Sequence, residues 1–345
     1  MQFPKQVQVT DVVARDGFQN EDHIVSTEDK LRVIEGLVRA GITSIEVTSF
    51  VHPAVVPQLA DAAEVVVRLP HCEGVMYSAL VPNVMGARRA LNAGVTELHL
   101  VVSATESHNR ANLNRGVGES LVQLAEVCSF VRGENPQAIL VASIATAFHC
   151  PFEGRTPIER ACWIIEKLIG MGICRINLAD TDGAANPLQV CLTIASVKER
   201  FPEVMWSLHL HNTRGMGLAN VLAGLQNGIT HFDASLGGIG GCPFVPGATG
   251  NISTEDLVHM LHEMGIETGI DLDVLLQEGR KLGTIVGHEM TSQVARAGMS
   301  GTLHAFEGVK VADSRRVHQF NQKMERSRPD VERTLFNPRE RSHST

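Results

Sequence analysis

A chain of 345 residues, 43% hydrophobic and 20% charged, is long enough to bury a large core and too apolar for a disordered or fibrous polymer. Its 30 Lys+Arg against 38 Asp+Glu leave a net charge of −8, the wrong sign for a partner made of phosphate backbone, so nucleic-acid binding is set aside. The longest uncharged apolar run, residues 138–148, is shorter than the ~18 residues that span a bilayer, so no membrane partner is expected. The N-terminal Met-Gln-Phe-Pro-Lys-Gln-Val has neither signal-peptide nor transit-peptide character, which leads to the expectation of a cytoplasmic protein. Seven cysteines, odd in number and without Cys-x-x-Cys spacing, read as reduced thiols.

Along the chain a local pattern recurs: Ala-Gly-Ile-Thr at 40–43, Ala-Gly-Val-Thr at 93–96, Met-Gly-Ile-Cys at 171–174 and Asn-Gly-Ile-Thr at 227–230. Glycine accepts the left-handed backbone that closes a helix, and an apolar run suited to a buried strand follows each one. These runs are residues 44–50, 97–104, 175–181 and 231–238. Four more of the same kind lie at 7–14, 74–81, 139–148 and 205–212, which makes eight strands. Strand starts roughly 25 to 40 residues apart leave room for a crossover helix in each repeat. The first such helix carries Leu31, Ile34, Leu37 and Val38 on one face, and Ser26-Thr-Glu-Asp29 before it resembles a capping box with Asp in place of Glu. The expected fold is therefore α/β, a (β/α)8 TIM barrel over residues 1–297. A dinucleotide-binding sheet would carry a Gly-rich turn after the first strand, where this chain has Ala-Arg-Asp-Gly. Residues 298–345, Arg-rich and interrupted by Pro329 and Pro338, are expected to form a partly ordered C-terminal extension.

Active-site groups of such barrels come from the C-terminal ends of the strands. There the chain places Arg15-Asp16-Gly17, Glu46 and Ser49, Asp180-Thr181, and His209-Leu210-His211. Alternate residues of a strand share a face, so His209 and His211 point into the barrel together, which suits a metal; taken alone, the pair also reads as two core histidines satisfied by backbone hydrogen bonds. Asp16 adds a carboxylate, and Asn251, before the Ser253-Thr-Glu-Asp helix start, adds an amide oxygen. Two nitrogens and two oxygens with open positions favour octahedral Mg2+ or Mn2+ over tetrahedral Zn2+. Arg15 reads either as a partner for Asp16 or as a fixed cation for a developing enolate oxygen. Glu46 and Asp180 read as orienters of Arg15 or of the metal site, or as buried ion-pair partners. The glycine-rich stretch 237–251 reads as a lid whose Cys242 is the accessible thiol, and the other six cysteines read as core fillers.

Together these residues resemble the 3-hydroxy-3-methylglutaryl-CoA lyases. The resemblance runs over residues 5–297 and rests on Arg15-Asp16-Gly17-Phe18-Gln19-Asn20-Glu21, Ile45-Glu46-Val47-Thr48-Ser49, Cys150-Pro151-Phe152, Asp180-Thr181, His209-Leu210-His211 and Gly240-Gly241-Cys242-Pro243 through Asn251. Related Claisen synthases share Arg-Asp-Gly and His-x-His but match less well around Cys242 and Gln19-Asn20-Glu21; an acyl transferase is the alternative. The resemblance implies cleavage of an acyl-CoA substrate to acetyl-CoA and acetoacetate, a homodimer, and a place in leucine degradation. It implies that Asp16, His209, His211 and Asn251 bind the divalent cation, that Arg15 stabilises the enolate, and that His209 and Cys242 move protons, with Glu46 and Asp180 in support. Arg15, Gln19, Ser49 and Thr181 would contact substrate. Where the family has Asp-Thr-Tyr-Gly after the second histidine, this chain has Asn212-Thr213-Arg214-Gly215. An added cation near the metal would favour a more acidic or differently sized acyl group.

Overall fold

The computed structural model describes residues 3–241, 244, 245 and 247–301. Within the unit Met1–Met299, eight parallel strands close into a barrel. They are β1 (Gln8–Asp11), β2 (Ser44–Ser49), β3 (Met76–Leu80), β4 (Glu97–Ser103), β5 (Ile139–Ala145), β8 (Arg175–Asp180), β9 (Met205–Leu210) and β10 (His231–Ala234), with β10 pairing back onto β1. A two-residue antiparallel pair, β6 (His149–Cys150) and β7 (Gly154–Arg155), is inserted after β5. The eight expected strands all form, each shorter at its ends than the apolar run that marked it. Among the described residues, no helix is long and apolar enough to cross a membrane. The expected extension lies almost wholly outside the described residues.

Helices cover the barrel from outside, and the repeated glycines work as read: Gly41, Gly94, Gly172 and Gly228 all have φ between 72° and 100°. In the helix Thr27–Arg39 the Ser26 hydroxyl caps the Asp29 N–H at 3.1 Å. The shorter Asp29 carboxylate accepts from the Ser26 hydroxyl rather than from its backbone, so only half of the capping box forms. Outward-facing Ile45, Leu98, Leu100, Ile176, Leu178 and Leu208 are fully buried against helical Ile34, Leu37, Ile164 and Leu168, which places the main core between strands and helices. The lumen is polar instead. Thr10, Ser44, Glu97, Asn177, Ser207 and Asp233 line a cavity of about 300 Å3 toward its N-terminal end.

Two departures from regular strands shape the C-terminal rim. The first strand stops at Asp11, short of the expected end at residue 14, and Val13–Gly17 forms a π-helical turn. The Asp11 carboxylate takes the Val13 N–H, and the Val12 carbonyl accepts from Arg15, Asp16 and Gly17, which turns the backbone out of the sheet. In β2 the register against β3 shifts between Glu46 and Thr48. Without that bulge Glu46 and Ser49, three residues apart, would face opposite sides of the sheet; with it both reach the same cavity.

Candidate active site

The C-terminal mouth of the barrel holds a cavity of about 230 Å3. Arg15, Asp16, Gln19, Glu46, Ser49, Thr181, His209 and His211 all line it, so most of the residues picked from the sequence converge there. One wall is apolar, made by Val51, Leu80, Pro82, Val101, Leu113 and Phe244.

Asp16, His209 and His211 lie together in a group whose ligand atoms are all within 4.8 Å of one another, an arrangement that could hold a metal ion. The two Nε2 atoms are 3.0 Å apart, and each is 3.9 Å from Asp16 Oδ2. Burial and then the neighbouring His209 push the His211 imidazole down to about 3, leaving it neutral with a lone pair to offer. His209 Nδ1 is 3.2 Å from Asp233 Oδ2; a carboxylate there fixes the tautomer and turns Nε2 inward. Although burial opposes it, that carboxylate and Asp16 raise the His209 imidazole above its ordinary value. Burial likewise works against charge on Asp16, yet Arg15 and the two histidines hold its carboxyl well below the usual carboxylate range.

Asn251 stands behind Asp16 rather than in the cavity wall. Its amide nitrogen donates to Asp16 Oδ2 at 2.8 Å and to the Ile239 carbonyl at 3.1 Å, and its buried Oδ1 has no partner among the described residues. An orphaned amide oxygen on a residue that bonds Asp16 and pairs with His211 fits a hard divalent cation, since an empty buried acceptor is otherwise costly. The backbone brings Asn251 there by pairing it with His211, and close approach depends on glycine: a Cβ on Gly240 would fall 2.6 Å from the Asp16 carbonyl.

Arg15 is clamped by two carboxylates. Its Nε and Nη2 donate to Glu46 Oε2 at 2.7 and 2.6 Å, and its Nη1 donates to Asp16. Burial alone would lower its pKa, but Glu46 and Asp16 raise it, so the guanidinium is a permanent charge beside the candidate metal group.

Three expectations about polar groups change. Asp180 does not face the cavity; its Oδ1 accepts the N–H groups of Ala184 and Ala185, both at 3.0 Å, and so holds the loop after β8. Arg214 does not reach the mouth either. It is exposed and donates to the Asp182 carbonyl at 2.8 Å, because Gly183 packs against Thr213 and ties the two loops together. Nor are the six cysteines outside the lid all core fillers: Cys174, at the foot of β8, is exposed, and Cys72 and Cys191 are half-buried. Cys242 and Pro243 lie outside the described residues.

Sequence reasoning missed Asp233 and His99, which also line the cavity. Glu97-Leu98-His99 and His231-Phe232-Asp233 have the same alternation that exposed His209 and His211, and reading every polar-x-polar strand that way would have found both.

Comparison with known proteins agrees with this geometry. The chain is 43% identical over 293 residues to hydroxymethylglutaryl-CoA lyase YngG of Bacillus subtilis, covering 85% of this chain and 97% of that one. It is 40% identical over 302 residues to an (R)-citramalyl-CoA lyase of Chloroflexus aurantiacus, covering 85% and 95%. Its structure superposes on an HMG-CoA lyase from Acinetobacter baumannii in complex with coenzyme A and 3-methylmalate with a TM-score of 0.84 at 42% identity, covering 88% of this chain and 99% of that one. The family profile described as HMGL-like matches residues 6–281, and the chain belongs to that family.

Proposed function

We infer that the protein is a metal-dependent carbon–carbon lyase that cleaves 3-hydroxy-3-methylglutaryl-CoA, or a closely related 3-hydroxyacyl-CoA, to acetyl-CoA and acetoacetate or the corresponding keto acid. The observation that carries this reading is the placement of a guanidinium clamped by two carboxylates, Arg15, against Asp16 of the Asp16–His209–His211 group, on one cavity wall.

Asp16, His209, His211 and Asn251 are the residues we assign to a divalent cation, Mg2+ or Mn2+, which when bound lowers the pKa of a substrate hydroxyl. The hydroxyl proton passes to the Asp233 carboxylate, which His209 holds through Nδ1, while the bond beside the tertiary alcohol breaks. Its electron pair enters the thioester as an enolate, whose oxygen lies against Arg15. Glu46 holds Arg15 from behind. Cys242 is assigned the return of a proton to the acetyl-CoA carbon, which balances the reaction without a redox partner. Gln19, Ser49 and Thr181, all on the cavity wall, are assigned to the acyl group, with residues 1–297 as the catalytic domain in a cytoplasmic homodimer. Asp180 supports the site through the loop it holds.

A citramalyl-CoA ester is the second reading, favoured by the 40% identical relative of that name. The Claisen-type alternative has less support, because these relatives carry lyase names. Incubating the purified protein and Mn2+ with each CoA ester in parallel separates the readings by product: acetoacetate from the first, pyruvate from the second, acetyl-CoA from both. Consumption of acetyl-CoA with a 2-oxo acid, with release of free CoA, would instead establish the transferase.

A further inference from the structure

One ionisable side chain on the cavity floor has no part in the chemistry above. His99, on β4, is largely buried with both ring nitrogens turned toward glutamates: Nε2 is 3.2 Å from Glu97 Oε1 and Nδ1 is 3.5 Å from Glu46 Oε1. The second distance suits an ion pair but is too long for a hydrogen bond, and Glu46 Oε1 is buried without a hydrogen-bond partner among the described residues. The other oxygen of Glu46 carries Arg15, and Glu97 Oε2 is 3.1 Å from Arg175 Nη1. Charges therefore alternate through the lumen, Asp16, Arg15, Glu46, His99, Glu97, Arg175, from the active-site mouth to the opposite end.

We propose that protonated His99 is a positioning residue for Arg15: bridging Glu97 and Glu46 across the lumen, it anchors the free oxygen of Glu46 and so fixes the direction in which Arg15 meets the enolate. Two nearby carboxylates in a buried lumen repel each other unless a cation stands between them. Glu46 is free to rotate about its carboxylate axis if only one oxygen is held, and the guanidinium follows it. His99 also lines the N-terminal cavity, so its proton exchanges with solvent at the end of the barrel away from substrate and lid. The groups that face it are Glu46 from β2, Glu97 from β4, Arg175 from β8, and Asp233 and His231 from β10. Burial opposes its charge, but Glu97 and Glu46 outweigh burial and raise its pKa. Turnover should accordingly fall as rising pH removes that proton, with or without bound substrate.

The inference rests on the lyase reading for the role of Arg15, and the test separates the two. In the full chain with Mn2+ and 3-hydroxy-3-methylglutaryl-CoA, His99→Ala should lower kcat roughly 10- to 100-fold, the size of a small misplacement of a catalytic group, and leave KM and Mn2+ affinity within about twofold. His99→Gln, which restores a donor without the charge, should recover part of kcat and lack the alkaline limb of its pH profile. Glu97→Gln, which removes the carboxylate that holds the proton on His99, should move that limb to lower pH, and it decides the matter if His99→Ala fails to fold. An unchanged kcat, a loss shared equally with Mn2+ affinity, or a limb that stays in place in Glu97→Gln overturns the proposal. Absence of cleavage by the wild type would instead overturn the lyase reading. In that event the Arg15 Nε–H resonance of metal-free, 15N-arginine-labelled protein still decides on His99: it should shift in Glu97→Gln, and an unmoved resonance counts against the bridge.

Discussion

At the scale of single residues, the chemistry depends on a charge that cannot be lost. Arg15 is held by Glu46 and Asp16, so replacing it leaves a buried and a half-buried carboxylate without their cation and, on the lyase reading, no counter-charge for the enolate. Arg15→Met is expected to keep the barrel fold, checked by circular dichroism, while kcat drops by about 10³-fold or more, since a transition-state interaction is removed. Near-normal turnover would end the assignment. Cys242→Ser separates a second role: proton return should slow while Mn2+ affinity by calorimetry stays at the wild-type value, and an unchanged rate takes Cys242 out of the chemistry. At this scale the sequence was partly legible. His209 and His211 stood out because a strand with two imidazoles in register has few structural reasons to exist. Asp233 and His99 were hidden because a single polar residue two places from another looks like an ordinary strand edge until neighbouring strands fold beside it. Arg214 misled for the opposite reason: its charge is plain in the sequence, but its direction is set by a contact between loops that no local pattern encodes.

At the scale of elements, irregular backbone does the positioning. The π-helical turn after β1 aims Arg15 and Asp16 across the mouth, and the bulge in β2 puts Glu46 and Ser49 on one wall. Neither was legible, because a strand that ends early and a one-residue register shift leave the hydrophobic pattern almost intact. The turn that delivers Asn251 depends on Gly250, which has φ +97° and on which a Cβ would lie 2.0 Å from the Gly240 carbonyl oxygen. Gly250→Ala is expected to destabilise the protein by about 1–3 kcal/mol through strain. It should also weaken Mn2+ binding by displacing Asn251, as read by calorimetry. Wild-type affinity in that variant would show that Asn251 is not a ligand.

At the scale of the whole molecule, the barrel was the most legible feature. Apolar runs repeat eight times around the chain, four of them behind a helix-ending glycine, and each repeat agrees with the next in a way that chance patterning does not. What repetition does not reveal is the polar lumen, or the buried carboxylates that stitch the last turn of the barrel. Glu255, which accepts the Gly237 N–H at 2.9 Å, is raised to about 8 by burial. A carboxyl raised in the folded state contributes stability that is full below its unfolded pKa and is lost as pH climbs through the folded value. Thermal stability should therefore decline between about pH 4.5 and 8 by an amount that Glu255→Gln, neutral at every pH, abolishes. Parallel curves for the two proteins would show that Glu255 titrates normally. A lyase built on the Asp16–His209–His211 group works only with its metal. Metal-free protein is mixed with 3-hydroxy-3-methylglutaryl-CoA, Mn2+ is added, EDTA follows, and acetyl-CoA and acetoacetate are followed by mass spectrometry. Equal amounts of both products should appear on adding Mn2+ and cease with EDTA. Cleavage that is indifferent to EDTA, or none with Mn2+ shown to be bound by Asp16, His209 and His211, would contradict it.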